Sequence, residues 1–387
     1  MIVVNTITIT YDKIMRTPAI PETLPLISVD WTSLVPFMGK ANRSLADYNG
    51  MLRHLPNASM LLAPLTVQEA VLSSRIEGTL ATMSEVLQFE AGELPIHEAK
   101  RQDIEEILNY RDALELAKAE LGKRPFTLNL LLKLHNVLLK GVRGQHKARG
   151  EFRRQQNYIG SVSGGKDTIR FTPPEWQHLP GALDNLEKYY HSDTPDPIVQ
   201  LAIIHAQFEF LHPFLDGNGR LGRILIPIFL YEKGFLQQPN FYLSEYIEAN
   251  RDEYIDLLNE LGRSSKAWTN WIRFFLLAVE QQAVQNARKA TAMLQLYESL
   301  KTQFIQVTHS QYAVPLLDFI FSTPVFQPGQ VVWSMNPPSK PTLTSMLSAL
   351  HRENVLTMVR EGMGRRSYIW ALTPLIDLAE QRFPFSS

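Results

Sequence analysis

Residues 212–223 concentrate the chemistry of this chain: His212-Pro213-Phe214-Leu215-Asp216-Gly217-Asn218-Gly219-Arg220-Leu221-Gly222-Arg223. An imidazole, a carboxylate, glycines on both sides of an asparagine and two arginines share this one short segment. Gly217, Asn218 and Gly219 allow backbone angles that let a loop curl and aim its amides inward. Arg220 and Arg223 add rigid forks of donors that match phosphate oxygens. Asp216 offers a hard oxygen suited to Mg²⁺, which needs only one or two protein carboxylates when phosphates supply the rest. His212, read here as sitting at the loop's rim, is a base for an incoming hydroxyl. The combination suits a metal–polyphosphate together with a nucleophile to attack it. A Walker loop does not fit, because no Lys-Ser or Lys-Thr follows the glycines.

These groups need a frame. Pro197 to Leu211 reads as an amphipathic helix ahead of the loop, and Ile224 to Tyr231 as an apolar helix behind it. The loop therefore lies at a helix N-terminus, where unpaired amides and the positive end of the helix dipole favour an anion. Apolar residues at three-and-four spacing predict further helices over Pro64 to Phe89 and His97 to Leu121, and Thr127 caps another. Residues 1 to about 30, broken by Pro18, Pro21 and Pro25, read as an arm. Between Gly141 and Pro174 glycines punctuate β-prone pieces, and Asn157 to Val162 with Thr168 to Phe171 reads as a hairpin turning at Ser163-Gly164-Gly165-Lys166-Asp167. A long helix from about Trp268 leads to a last region with a different pattern. There Leu316 to Phe321 and Lys340 to Glu353 are helical, and Val355 to Val359 with Ser367 to Trp370 forms strand, turn, strand. A helix followed by a basic-tipped hairpin is the order of a winged helix.

Bulk properties set limits. At 387 residues the chain has room for two or three domains, and 45% hydrophobic with 20% charged residues is ordinary for a globular protein. A net charge of −1 gives no global reason to expect nucleic acid or membrane partners. The absence of cysteine excludes disulfides and thiolate chemistry. No apolar run of about 18 residues is present, so no membrane span is expected, and a reducing cytoplasm is the simplest compartment.

The 212–223 segment matches the HPFxxGNGRxxR signature at every position and so resembles the Fic-domain proteins. The resemblance implies a mainly α fold: a helical Fic-type core with a β-hairpin flap, a helical N-terminal region and a C-terminal winged-helix-like domain. It also implies transfer of AMP from ATP to a Tyr, Ser or Thr hydroxyl of a target protein, with Mg²⁺. In that scheme His212 is the general base and Asp216 the Mg²⁺ ligand. Gly217, Asn218 and Gly219 form the anion hole, Arg220 holds the phosphates, Arg223 meets the γ-phosphate and Phe214 anchors the loop. In Doc-like relatives a lysine replaces the second glycine; Gly219 here favours AMP transfer, although variants that use CDP-choline are not excluded by this loop. The hairpin resembles the flap that docks the target over residues 158–171, and Tyr254 falls where relatives place an adenine-contacting tyrosine. Ser73-Ser74-Arg75-Ile76-Glu77-Gly78 resembles the (S/T)xxxE(G/N) inhibitory motif, which implies that Ser73 and Glu77 act on Arg223. Reversal of the modification is left open, as is a homodimer.

The expected organisation is an N-terminal arm and helical region over 1–105, the catalytic core over 106–275, a connecting helix over 276–309 and the winged-helix-like domain over 310–387. Two competing readings stand beside it. Glu209-x-x-His212 and Glu175-x-x-His178 fit a di-iron helical element, but no further pair of helical glutamates completes the set, and His205 reads as a buried, satisfied histidine. The C-terminal domain alternatively makes the chain a DNA-binding regulator, on the cations Lys340, His351, Arg352, Arg360, Arg365 and Arg366.

Overall fold

The computed structural model describes residues 2–3, 17–27, 29–95, 97–163, 166–264, 266–334, 336–363, 366–382 and 385. It is mainly helical, with 63% helix against 5% strand. The order is β1 (Ile2–Val3), α1 (Trp31–His54), α2 (Ala58–Leu61), α3 (Ala63–Ile76), α4 (Met83–Glu90), α5 (Glu98–Leu121), α6 (Leu128–Leu138), β2 (Ile159–Ser163), β3 (Lys166–Phe171), α7 (Leu179–His191), α8 (Pro197–Leu211), α9 (Asn218–Glu232), α10 (Ser244–Ala249) and α11 (Arg251–Glu260). There follow α12 (Ala267–Thr308), α13 (Ala313–Ser322), β4 (Val325–Phe326), α14 (Lys340–Arg352), β5 (Thr357–Arg360), β6 (Ile369–Ala371) and α15 (Thr373–Glu380). Two compact units emerge: one of Met1–Asn49, Leu72–Thr79 and Leu108–Val284, the other of Gly50–Val71, Leu80–Ile107 and Gln285–Ser387.

The first unit is built around α8 and α9. Asp196 caps α8 by accepting bonds from the amides of Ile198 and Val199, and Pro197 sits at the first helical position, where its missing N–H costs nothing. The sequence pattern read α8 as amphipathic, but every residue from Ile198 to Leu211 is buried. Its polar side chains are internal groups rather than a wet face. Gln200 donates to the carbonyls of Tyr189 and Ser192, and His205 lies between Gly222 O and the Tyr254 hydroxyl. Trp271 donates its indole N–H to Ala202 O at 2.8 Å and stacks on His205, so α12 closes one side of α8. Burial of His205 as a satisfied core residue agrees with its sequence reading.

The pattern over Pro64 to Phe89 resolves into two helices, α3 and α4. Gly78, at φ +102°, ends the first turn sequence in a conformation that L side chains rarely adopt. Thr82 restarts the chain with a capping box: its hydroxyl takes the Glu85 amide, and the Glu85 carboxylate takes the Thr82 amide. Thr127 caps α6 through Leu130 N, as its position predicts.

β2 and β3 pair antiparallel from Ile159↔Phe171 to Ser163↔Lys166, with an irregularity at Ile159/Gly160, and β1 adds to the other edge of β2. β2 starts two residues later than the sequence suggests and β3 two residues earlier, at Lys166; the turn glycines Gly164 and Gly165 lie outside the described residues. The arm fastens through Ala19 N to Thr172 O, a reciprocal pair between Leu24 and Asn185, and Glu22, which accepts from Trp268 and Gln207.

In the second unit, β4, β5 and β6 form an antiparallel sheet in the order β4-β6-β5. Met346, Leu347 and Leu350 bury one face of α14. Gln327 and Gln330 donate to Ala91 O and Glu90 O, and Arg360 is ion-paired with Glu93. Arg360 and His351, whose ring meets Leu356 O and Trp370, are thus engaged within the protein, and Arg365 lies outside the described residues. No helix among the described residues is long and apolar enough to cross a membrane.

Candidate active site

His212 closes α8 in the left-handed conformation, φ +46° and ψ +59°. A non-glycine residue there costs about 1–2 kcal/mol, so its surroundings must hold it. Arg153 does so. Its Nε donates to His212 O at 2.9 Å, one terminal nitrogen to Leu211 O and Pro174 O, and the other to Gln155 O, while its backbone N–H donates to Pro213 O. Asn157 adds bonds to His212 O and Phe214 O. Burial lowers the Arg153 guanidinium to about 10, which leaves it a cation at neutral pH.

The His212 ring is 2% exposed, so it is enclosed rather than at the rim where the sequence reading placed it. Tucking of the left-handed residue behind α8 is the reason. Nδ1 lies 3.3 Å from Glu209 O and donates to it, which leaves the lone pair on Nε2. Nε2 is buried without a hydrogen-bond partner. Burial pushes the ring down to about 4; the Glu209 carbonyl opposes this and the Arg153 charge adds to it. His212 is therefore a neutral base at pH 7 with its accepting nitrogen unused.

Asn218 does not face outward. Its Oδ1 accepts from Phe214 N at 2.9 Å and its Nδ2 donates to Phe214 O at 2.8 Å, closing the loop on itself. Phe214 is fully buried and stacks on His135 at 3.9 Å. Gly217, at φ +76°, is the N-cap of α9 and carries no side-chain cap. Helical bonding starts with Leu221 N on Gly217 O, so the amides of Asn218, Gly219 and Arg220 precede the ladder at the positive end of the helix.

Asp216 is partly exposed. Its Oδ2 lies 3.1 Å from the Lys147 ammonium, and its Oδ1 takes Gly217 N and faces Arg220 at 3.6 Å. Gly144, at φ +87°, packs so closely on this carboxylate that a β-carbon would come within 2.7 Å of it. His135 ties the neighbourhood together: Nδ1 accepts from Gly150 N, so Nε2 donates to Asp216 O at 3.0 Å. A reachable carboxylate that already attracts a cation fits Mg²⁺ held jointly with phosphate oxygens.

Arg223 turns to α3. Nε donates to Ser73 Oγ at 2.8 Å, and one terminal nitrogen donates to Ser73 O at 2.9 Å and Glu77 Oε1 at 2.8 Å. Burial raises the Glu77 carboxyl, but the charge and hydrogen bond of Arg223 outweigh it and bring the group to about 2. Glu77 also lies over the start of α9, where a β-carbon on Gly219 would overlap Oε1. Arg251 holds the end of the same helix through Ile76 O. The structure thus brings Ser73 and Glu77 to the end of the 212–223 loop.

Tyr254 is 3% exposed, with its hydroxyl 2.9 Å from His205 Nε2. Glu209 was read only as a possible metal ligand. It is buried against Gly222, its Oε1 lacks a hydrogen-bond partner, and burial raises it to about 8, with Arg223 opposing. Sequence reasoning also missed Arg153, Asn157, His135 and Lys147 as parts of the site. Only the spacing of Gly144 and Gly150 hinted that this stretch is shaped against something.

Two family profiles match the chain: "Fic/DOC family N-terminal" over residues 35–119 and "Fic/DOC family" over residues 125–230. Residues 35–119 and 125–230 are Fic/DOC-family domains. The second profile contains the whole 212–223 loop. The "Protein adenylyltransferase Fic" of Drosophila yakuba is 26% identical over 196 residues, 50% of this chain and 36% of the relative. That of Drosophila melanogaster is 25% identical over 221 residues, 56% of this chain and 41% of the relative. The chain thus spans well under half the length of these curated relatives. A Fic family protein from Desulfovibrio desulfuricans G20 shares the fold with a TM-score of 0.55 at 17% identity, covering 92% of this chain and 98% of that one. Fic-1 from C. elegans aligns with a TM-score of 0.52 at 21% identity, covering 70% of this chain and 76% of that one. These likenesses agree with the mainly α Fic fold and give no support to the DNA-binding alternative.

Proposed function

We propose that this chain transfers AMP from ATP to a hydroxyl side chain of a target protein and that Glu77 holds the reaction in check. The observation that carries the reading is His212 Nε2, a buried neutral acceptor one short loop ahead of an uncapped helix N-terminus. His212 takes the proton of the target hydroxyl, whose oxygen forms a bond to the α-phosphorus of ATP. The bond from that phosphorus to the bridging oxygen breaks and pyrophosphate leaves. The amides after Gly217 and the Arg220 guanidinium stabilise the charge on the phosphates, and Arg223 receives the γ-phosphate once Glu77 is displaced. Asp216 would hold Mg²⁺, which supplies charge neutralisation on the phosphates.

Target residues are placed by strand pairing to the 158–171 hairpin. Tyr254 supports the nucleotide end through His205 and α8 rather than by lying open to adenine. The 310–387 region, with its β4-β6-β5 sheet behind α14, we read as a winged helix. A reducing cytoplasm is the compartment we infer.

The test uses the Glu77→Gly protein with a cell extract and ATP labelled either at the α- or at the γ-phosphate. Label on protein that is lost in the Glu77→Gly/His212→Ala control is expected from α-labelled ATP alone. Label from γ-labelled ATP that is likewise lost in this control would mean phosphoryl transfer by this chain and overturn the reading.

A further inference from the structure

The residue that fixes His212 also fixes both ends of the hairpin. Gln155 precedes β2 and Pro174 follows β3, and the carbonyls of both accept from the Arg153 guanidinium, at 3.1 and 2.5 Å. The remaining side-chain bonds go to Leu211 O and His212 O, the last two carbonyls before the loop. Arg153 is 2% exposed and spends its guanidinium on these backbone oxygens. Gln156 pins the same junction through Pro173 O, and Asn157 spans from the base of the hairpin to His212 O and Phe214 O.

We propose that Arg153 is a positioning residue that sets the register between the target-binding hairpin and the catalytic base, and so decides whether the activated phosphorus meets a protein hydroxyl or water. The inference rests on the AMP-transfer reading above. Physically, a planar guanidinium with several simultaneous acceptors has little freedom, so the hairpin and the base move together. Positioning errors of about 1 Å cost on the order of 100-fold in an attack that depends on alignment. Water needs no strand to present it and is far less sensitive to the same error. A lysine at 153 keeps the charge but replaces the fork by a single ammonium, which cannot span acceptors on both sides.

The experiment compares Glu77→Gly with Glu77→Gly/Arg153→Lys, using α-labelled ATP and a cell extract as the source of protein acceptors. The reading is the share of cleaved ATP that ends on protein rather than as free AMP. With the products of an extract-only control subtracted, loss of folded enzyme lowers both products together and leaves that share unchanged, so the share isolates positioning. Arg153→Lys is expected to lower it at least tenfold. Asn157→Ala, a smaller perturbation of the same junction, is expected to lower it about threefold. An unchanged share in both variants overturns the proposal. If the Glu77→Gly parent labels no protein, the AMP-transfer reading fails first and the proposal falls with it, which distinguishes the two failures.

Discussion

The Glu77 carboxylate lies in the space that a β-carbon on Gly219 would occupy. One glutamate therefore does two things at the start of α9: it holds Arg223 and it covers the proposed anion site. Gly219 leaves the room that the Glu77 side chain fills. Gly219→Ala is expected to lower the melting temperature in the wild-type background, since overpacking costs about 1–3 kcal/mol. In a Glu77→Gly background most of that loss should disappear. A double-mutant cycle by thermal unfolding checks this, and purely additive effects would place Glu77 away from Gly219 in solution.

Ser73 supports the same clamp by accepting two bonds from Arg223, one at its hydroxyl and one at its carbonyl. Ser73→Ala removes only the first. At about 0.5–1.5 kcal/mol for such a bond, AMP transfer should rise roughly 2- to 10-fold, less than on loss of Glu77. Initial rates of label incorporation give the comparison, and a release as large as that of Glu77→Gly would assign the clamp to Ser73 instead.

The clamp should not respond to mild acid. The folded Glu77 carboxyl is lowered from 4.5 to about 2, so the ion pair is fully present above 4.5 and is lost only as the pH falls toward 2. The ratio of Glu77→Gly to wild-type activity should stay constant between about pH 5.5 and 7.5. In the same range the His212 base, lowered to about 4, remains neutral. A wild-type enzyme that becomes active near pH 5.5 would show that protonation of another group opens the site.

Glu209 gives the opposite sign. Its carboxyl is raised from 4.5 to about 8, so the folded state favours its proton, and the stability it contributes is present below 4.5 and is lost as pH rises through 8. Glu209→Gln removes that dependence. Its melting temperature should gain on the wild type by at least about 2 °C between pH 5 and 9. Parallel curves would mean that Glu209 is ionised and paired throughout.

The 212–223 loop could be read from sequence because its chemistry is local: every group in it acts within a turn or two of its neighbours. The Ser73–Gly78 motif was visible for the same reason, although the partner of Glu77 lies 146 positions away, at Arg223. Arg153 was not. Its acceptors are backbone carbonyls, which leave no side-chain pattern, and two of them lie 58 and 59 positions away. The run Pro197 to Leu211 reads as amphipathic because carboxylates and amides are usually exposed; here Glu209 and Gln200 are buried with the rest of α8, which no period in a single sequence reveals. The break between α3 and α4 was marked by Gly78 and by the Thr82–Glu85 pair, but continuous apolar spacing across it hid the signal.

The central claim is that Glu77 and the γ-phosphate of ATP compete for Arg223. It is tested most directly by the rate of AMP incorporation from α-labelled ATP in the wild type, Glu77→Gly and Glu77→Gly/His212→Ala. A charge-assisted bond of about 1.5–3 kcal/mol predicts a rise of roughly 10- to 150-fold on loss of Glu77, and return to background when His212 is also removed. Equal incorporation by wild type and Glu77→Gly would contradict it.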